Sequence, residues 1–206
     1  MHRCLPLALL AACVTTADSP VTQAITGYCA APVVSARLAD EDGLPPLYDE
    51  AVHAWEPDGP VRGRAVRMVE AGLADGLDAA LPARFGGDAP CTLDVAVENV
   101  ILPDATRHTL LSGQKSFLVT GRLRAPDGTV LAETARPFTI LAEHQSGGRR
   151  GAGWSRLGRT DALRVDALVL LTGESARVLA DAFGGGRTQT GLAGRLVAHP
   201  ARVPGP

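Results

Sequence analysis

Cysteine is the residue type that most constrains the chemistry of this chain, and there are four: Cys4, Cys13, Cys29 and Cys91. The N-terminus opens on a positive charge, Met1-His2-Arg3. A short apolar run follows, Cys4-Leu5-Pro6-Leu7-Ala8-Leu9-Leu10, and Ala11-Ala12 lead into Cys13. A charge, a brief apolar stretch and small residues in that order read as a secretory signal, too short to cross a bilayer as a helix.

Leu10-Ala11-Ala12-Cys13 looks like a bacterial lipobox. The chemistry of such a signal needs a thiol, because a diacylglyceryl group is attached there through a thioether and palmitate follows. Ala12 suits a peptidase that admits only small side chains. Residues 1–12 are therefore read as a lipoprotein signal peptide and Cys13 as the lipidated first mature residue. An ordinary signal cleaved after Ala17 is the alternative. Val14 stands where an Asp would resemble an inner-membrane retention signal, which favours the outer membrane, facing the periplasm. Cys29 and Cys91 then remain, an even pair in an oxidising compartment. A disulfide between them would close a loop of about 60 residues and stabilise by roughly 3–4 kcal/mol. Two separate buried thiols are the other reading.

Other chemistry-bearing patterns fit their surroundings poorly. Ser112-Gly113-Gln114-Lys115 matches an S-x-x-K motif, which needs the Ser to open a helix so that the Lys reaches its hydroxyl. Here it runs into an expected strand, where positions three apart face opposite ways. Gly173-Glu174-Ser175-Ala176-Arg177 lacks the last Gly of a nucleophile elbow. His53, His108, His144 and His199 show no metal-ligand spacing. Asp104, His108 and Ser112 are the least poor hydrolase set. Asp40-Glu41-Asp42 with Asp49-Glu50 reads as a solvated turn or a weak divalent-cation site. Arg149, Arg150, Trp154 and Arg156 lie in a Gly-rich stretch and could meet lipid phosphates or other anionic ligands, with Trp at the membrane interface. No catalytic residue, metal or cofactor is expected.

Composition narrows the classes. A net charge of −2 argues against a nucleic-acid partner. Nineteen Arg against one Lys suggests coding bias, which discounts the Arg-rich stretches. At 46% hydrophobic residues the chain is not wholly disordered. With aromatics at 4%, the core must be mostly Val, Leu and Ala.

The elements that would position these residues follow from periodicity. Residues 13–32 are small and polar and read as a tether. Val33–Leu38 reads as a strand, and Leu47–Trp55 as another. Asp58-Gly59-Pro60 opens a helix with Val66, Val69, Leu73, Leu77 and Ala80 along one stripe, ended by Pro82 and Phe85-Gly86-Gly87. Cys91–Leu102 alternates as a half-buried strand, with Cys91, Leu93, Val95, Val97 and Ile101 on one face. Phe117–Arg124 and Val130–Ala142 flank Ala125-Pro126-Asp127-Gly128-Thr129 and form a hairpin. Residues 144–159 are expected to be a mobile loop. A helix spans about Thr160–Phe183, with Leu163, Ala167, Leu170, Leu171, Val178 and Ala182 inward, a kink or break at Gly173 and a stop at Gly184-Gly185-Gly186. Residues 184–206 are expected to be a disordered tail. The whole predicts one α+β domain over 33–183, with a small antiparallel sheet of three or four strands packed by two helices, one early and one C-terminal.

Lipobox, early helix, strand–hairpin unit and last helix together resemble small, largely uncharacterised periplasmic lipoproteins of Gram-negative bacteria with a β-α-β-β-α domain, among them transport-auxiliary lipoproteins. The likeness is one of architecture, with Trp55 before the helix and Ser112-Gly113 before a strand. It implies an outer-membrane lipoprotein acting as a non-catalytic binding or adapter module, attached to the membrane through its N-terminal lipid, with an envelope protein or lipid as partner. An auxiliary subunit of an envelope lipid-transport system is the alternative, and a periplasmic hydrolase a third reading.

Overall fold

The computed structural model describes residues 16–40, 44, 47–49, 54–56, 60–102, 115–142, 158–189 and 194–204. Its strands are β1 (Thr16–Asp18), β2 (Val33–Leu38), β3 (Leu47–Asp49), β4 (Ala54–Glu56), β5 (Thr92–Ile101), β6 (Lys115–Arg124), β7 (Val130–Arg136), β8 (Phe138–Ala142), β9 (Arg187–Gln189) and β10 (Arg195–Ala198). Its helices are α1 (Gln23–Thr26), α2 (Pro60–Ala80) and α3 (Gly158–Phe183), with a 3-10 turn at Pro200–Arg202. The fold is α+β. The main sheet has six strands in the order β10-β7-β6-β5-β2, with β8 also on β6.

The alternation in β5 and β6 decides which face is covered. Leu93, Val95 and Val97, with Phe117, Val119 and Leu123, are buried beneath α2 and α3. In α2 the buried residues Ala65, Val69, Leu73 and Leu77 recur every four positions, and Leu81 extends them. The two long helices run parallel and touch closely. A Cβ on Gly72 would stand 2.8 Å from Thr172 Cγ2, and one on Gly76 2.8 Å from Ala176 Cβ. Helix α3 continues through Gly173 without a break, because that glycine is solvent-exposed inside an otherwise regular helix. It ends in a left-handed residue, Gly185 (φ 75°), and the Gly186 N–H reaches back to the Asp181 carbonyl at 2.8 Å. That is the hydrogen bond of a Schellman stop.

The β6–β7 turn forms as its residues require. The Gly128 N–H donates to the Ala125 carbonyl at 2.9 Å, and Gly128 takes φ 84°. Asp127 Oδ1 accepts from the Thr129 N–H at 2.9 Å. This bond, with one from the Thr129 side chain, holds the Asp127 carboxyl below the ordinary aspartate range.

Several expectations are corrected. The sheet is larger than three or four strands because two edges come from distant sequence. β2 joins β5 in parallel, through a crossover that contains α2, and β10 joins β7 from the tail. Residues 184–206 are thus not a structureless tail where they are described: Leu196 is buried and β9 pairs with β1. Nor are residues 16–32 a tether, because Val21, Ile25 and Cys29 enter the core. The expected strand Val130–Ala142 is two strands, β7 and β8, parted at Pro137, which has no N–H to give to a ladder. Leu47–Trp55 holds two short strands, β3 and β4, paired with each other. A bulge between Val97 and Asn99 shifts the register of β5, so Val100 turns inward and Ile101 is 51% exposed. Leu170, expected inward, is 60% exposed, and Leu168 takes the inward place. The segment read as a mobile loop lies outside the described residues except at Gly158 and Arg159, which open α3.

Cys29 and Cys91 are joined in a disulfide with Cα atoms 5.6 Å apart, and both are fully buried. With a sequence separation of 62, the link stabilises by about 4 kcal/mol on the chain-entropy model. Replacing both cysteines by Ala should lower the melting temperature by about 10 °C, read by circular dichroism. The helix contact makes a second prediction. Gly76→Val should cost about 1–3 kcal/mol by forcing α2 and α3 apart, whereas Gly63→Ala, with only the Arg67 side chain near, should not destabilise. Denaturant midpoints would distinguish the two.

Candidate functional site

The face of the sheet away from α2 and α3 is polar, and it forms an open furrow of about 420 Å³. Period-two alternation builds it, since every second residue of each strand must face away from the core. Ser35 and Arg37 come from β2, Asp94, Ala96 and Glu98 from β5, Thr120 and Arg122 from β6, and Glu133 and Thr134 from β7. The register sets Ser35, Asp94, Arg122 and Glu133 in one row across four strands, with Arg37, Ala96 and Thr120 in the next. Small side chains at Ser35 and Ala96 leave the floor low, and the longer Arg37, Glu98, Arg122 and Glu133 border it.

The borders are wired to one another. Arg122 Nη2 lies 3.0 Å from Glu133 Oε2, and Arg124 Nε lies 3.3 Å from Asp94 Oδ2. Thr120 Oγ1 donates to Glu98 Oε1 at 2.9 Å. Glu98 continues the alternation of Asp94 and Ala96 onto the furrow, and the β5 bulge that turns Val100 inward begins there, leaving Glu98 without a partner residue in β6. Where β7 leaves β6 near Pro137, the ladder is interrupted, and the Gly121 N–H is satisfied by Thr134 Oγ1 at 2.9 Å. The furrow offers hydroxyls, carboxylates and guanidinium groups in alternation, the equipment for binding a polar surface through hydrogen bonds and paired charges. Among the described residues that line it there is no histidine or cysteine.

Cys29 and Cys91 are brought together at the foot of the sheet. Cys13, Arg149, Arg150, Trp154 and Arg156 lie outside the described residues, as do Asp104, His108 and Ser112 of the hydrolase set. His53 and His144 also lie outside them, and the His199 N–H donates to the Leu131 carbonyl at 2.8 Å. Ser175 is buried in α3 and its hydroxyl donates to the Leu171 carbonyl at 2.6 Å, so it has the role of a helix-interior serine. From the acidic neighbourhood, Asp40 Oδ2 accepts from the Val100 N–H at 3.2 Å, tying the end of β2 to β5. Among the described residues no group of three or more His, Cys, Asp or Glu side chains converges as a metal site would require. Also among them, the buried Thr172 hydroxyl finds no hydrogen-bond partner, while the Thr172 Cγ2 methyl packs over Gly72 in the α2–α3 contact.

No local pattern in the sequence assembles the furrow. Its residues were visible as the polar half of each alternation. The parallel β2–β5 pairing that sets Ser35 and Arg37 beside Asp94 and Ala96 is not a local signal.

Comparison with known proteins adds little. No protein-family model matches the chain, and no curated protein matches it. Among solved structures it is similar to a PelC dodecamer from Paraburkholderia phytofirmans, at 16% identity and a TM-score of 0.33, over 78% of this chain and 95% of that one. A likeness at that level says nothing of this chain's assembly or activity.

The furrow's ion pairs are solvent-exposed, and such pairs add little to stability. Arg122→Ala should therefore change the unfolding free energy by less than about 1 kcal/mol. A melting curve that falls steeply would show instead that the furrow is part of the scaffold.

Proposed function

We propose that this chain is an exported lipoprotein of the bacterial envelope, held at the outer membrane through Cys13 and facing the periplasm. On this reading its α+β domain is a non-catalytic binding or adapter module for an envelope protein or lipid. The observation that carries the reading is the buried Cys29–Cys91 disulfide, since such bonds form and persist in oxidising compartments and are rare in the cytosol. It agrees with the secretory pattern of residues 1–12 and with the thiol at the end of Leu10-Ala11-Ala12-Cys13. The furrow supports a binding role, because hydroxyls and charged groups stand along an open floor, with Arg122 paired to Glu133 and Asp94 to Arg124.

Growth with a clickable palmitate analogue tests the attachment. Wild type should carry the label and sediment with membranes, and Cys13→Ala should lose both. An unlabelled, soluble wild type would remove the lipid from the account.

A further inference from the structure

The folded body begins almost at the proposed lipid. Strand β1 starts at Thr16, three residues after Cys13, and pairs along its length with β9 from Asp18↔Arg187 to Thr16↔Gln189. The chain stays docked beyond it. The Ser19 N–H donates to the Gly186 carbonyl at 3.0 Å, and the Ser19 hydroxyl donates to the Ala182 carbonyl. Val21 and Ile25 are buried in the core, and Cys29 is covalently tied to Cys91. Three residue steps reach at most about 10 Å, whereas a slack tether of 20 residues has a typical span of about 25 Å.

The fold has two distinct ends. At one lie the C-termini of α2 and α3, the disulfide, the β6–β7 turn and the β1–β9 pair. At the other lie Pro60 and Gly158, where the long helices begin, together with Ile101 of β5 and Ala142 of β8. Helix α3, with 26 residues, separates them by about 39 Å. The exposed charges around the first end are of both signs, Asp78, Asp88 and Asp127 with Arg202 beside Val130, while Asp18 stands opposite Arg187 in the ladder and Arg84 is taken by Asp181 at 2.6 Å. These are not the basic clusters that draw a protein to anionic lipid.

Resting on the lipoprotein reading above, we infer that the domain has no free tether: the β1–β9 flank, with the disulfide end of the fold, is apposed to the bilayer surface. Lipid and short chain hold it there without charge attraction, and the ends where α2 and α3 begin stand away from the membrane. A partner must then come to the membrane surface to meet it.

The test uses the full lipidated protein in vesicles of phosphatidylethanolamine and phosphatidylglycerol containing a short-range headgroup energy acceptor. A dye is placed on an exposed position near β1 (Gln23→Cys) or at the far end (Ile101→Cys), with Cys29–Cys91 left oxidised. Transfer from position 23 should exceed that from position 101 several-fold. A flexible insertion of about 20 residues between Thr15 and Thr16 should abolish most of that excess. Equal transfer from the two positions, or transfer unchanged by the insertion, overturns the apposition. Failure of wild type to carry lipid or to sediment with vesicles overturns the reading beneath it instead.

Discussion

The parallel pairing of β2 with β5, pinned at its lower end by the Cys29–Cys91 bond, is the constraint on which the rest of the structure depends. Cys29 bridges to Ala89, the Val33 N–H bonds to the Cys91 carbonyl at 3.0 Å, and the ladder then runs from Val33↔Thr92 to Leu38↔Val97. Because parallel strands cannot be joined by a tight turn, the intervening chain must cross over the sheet, and α2 does so. Once α2 lies on one face, the apolar half of β5 and β6 has its cover and the polar half is left as the furrow. The upper end of the pair is also fastened, by Asp40 to the Val100 N–H and by Glu70 Oε1 to the Leu38 N–H at 3.1 Å.

Much of this was legible in the residues. The helix from Pro60, the alternation of Thr92–Ile101, the turn at Pro126-Asp127-Gly128 and the stop at Gly184-Gly185-Gly186 each arise from local chemistry that a short window contains. What was hidden depends on distant partners. Leu196 and Val197 are a brief apolar pair among Gly, Arg and Pro, and only β7 beside them makes a strand. Residues 16–32 look like linker because their anchoring groups, Val21, Ile25 and Ser19, are few and scattered. The bulge after Val97 inverts the faces of Val100 and Ile101, which strict period two would not foresee. Of the candidate site, the disulfide was open to cysteine arithmetic, but the furrow needed the sheet order.

The furrow and the helix-covered face illustrate a division of labour. Burial of Phe117, Phe183, Leu73 and Leu93 ties the sheet to its helices and leaves little freedom for change. Most of the outer residues are bound to one another through exposed pairs, and apart from Thr134, which takes the Gly121 N–H, and Arg124, which reaches the Gly128 carbonyl, they can vary without unfolding the domain. A surface of that kind can be tuned to a partner while the scaffold beneath it stays fixed.

The side-by-side course of α2 and α3 has an electrical consequence. Gly72 lies against Thr172 and Gly76 against Ala176, so the two helices point the same way. Each carries about half a positive charge at its start and half a negative charge at its end. In an antiparallel pair these poles would largely cancel. Here they reinforce, and the molecule is polarised along its length by its backbone alone, whatever its near-neutral side-chain balance.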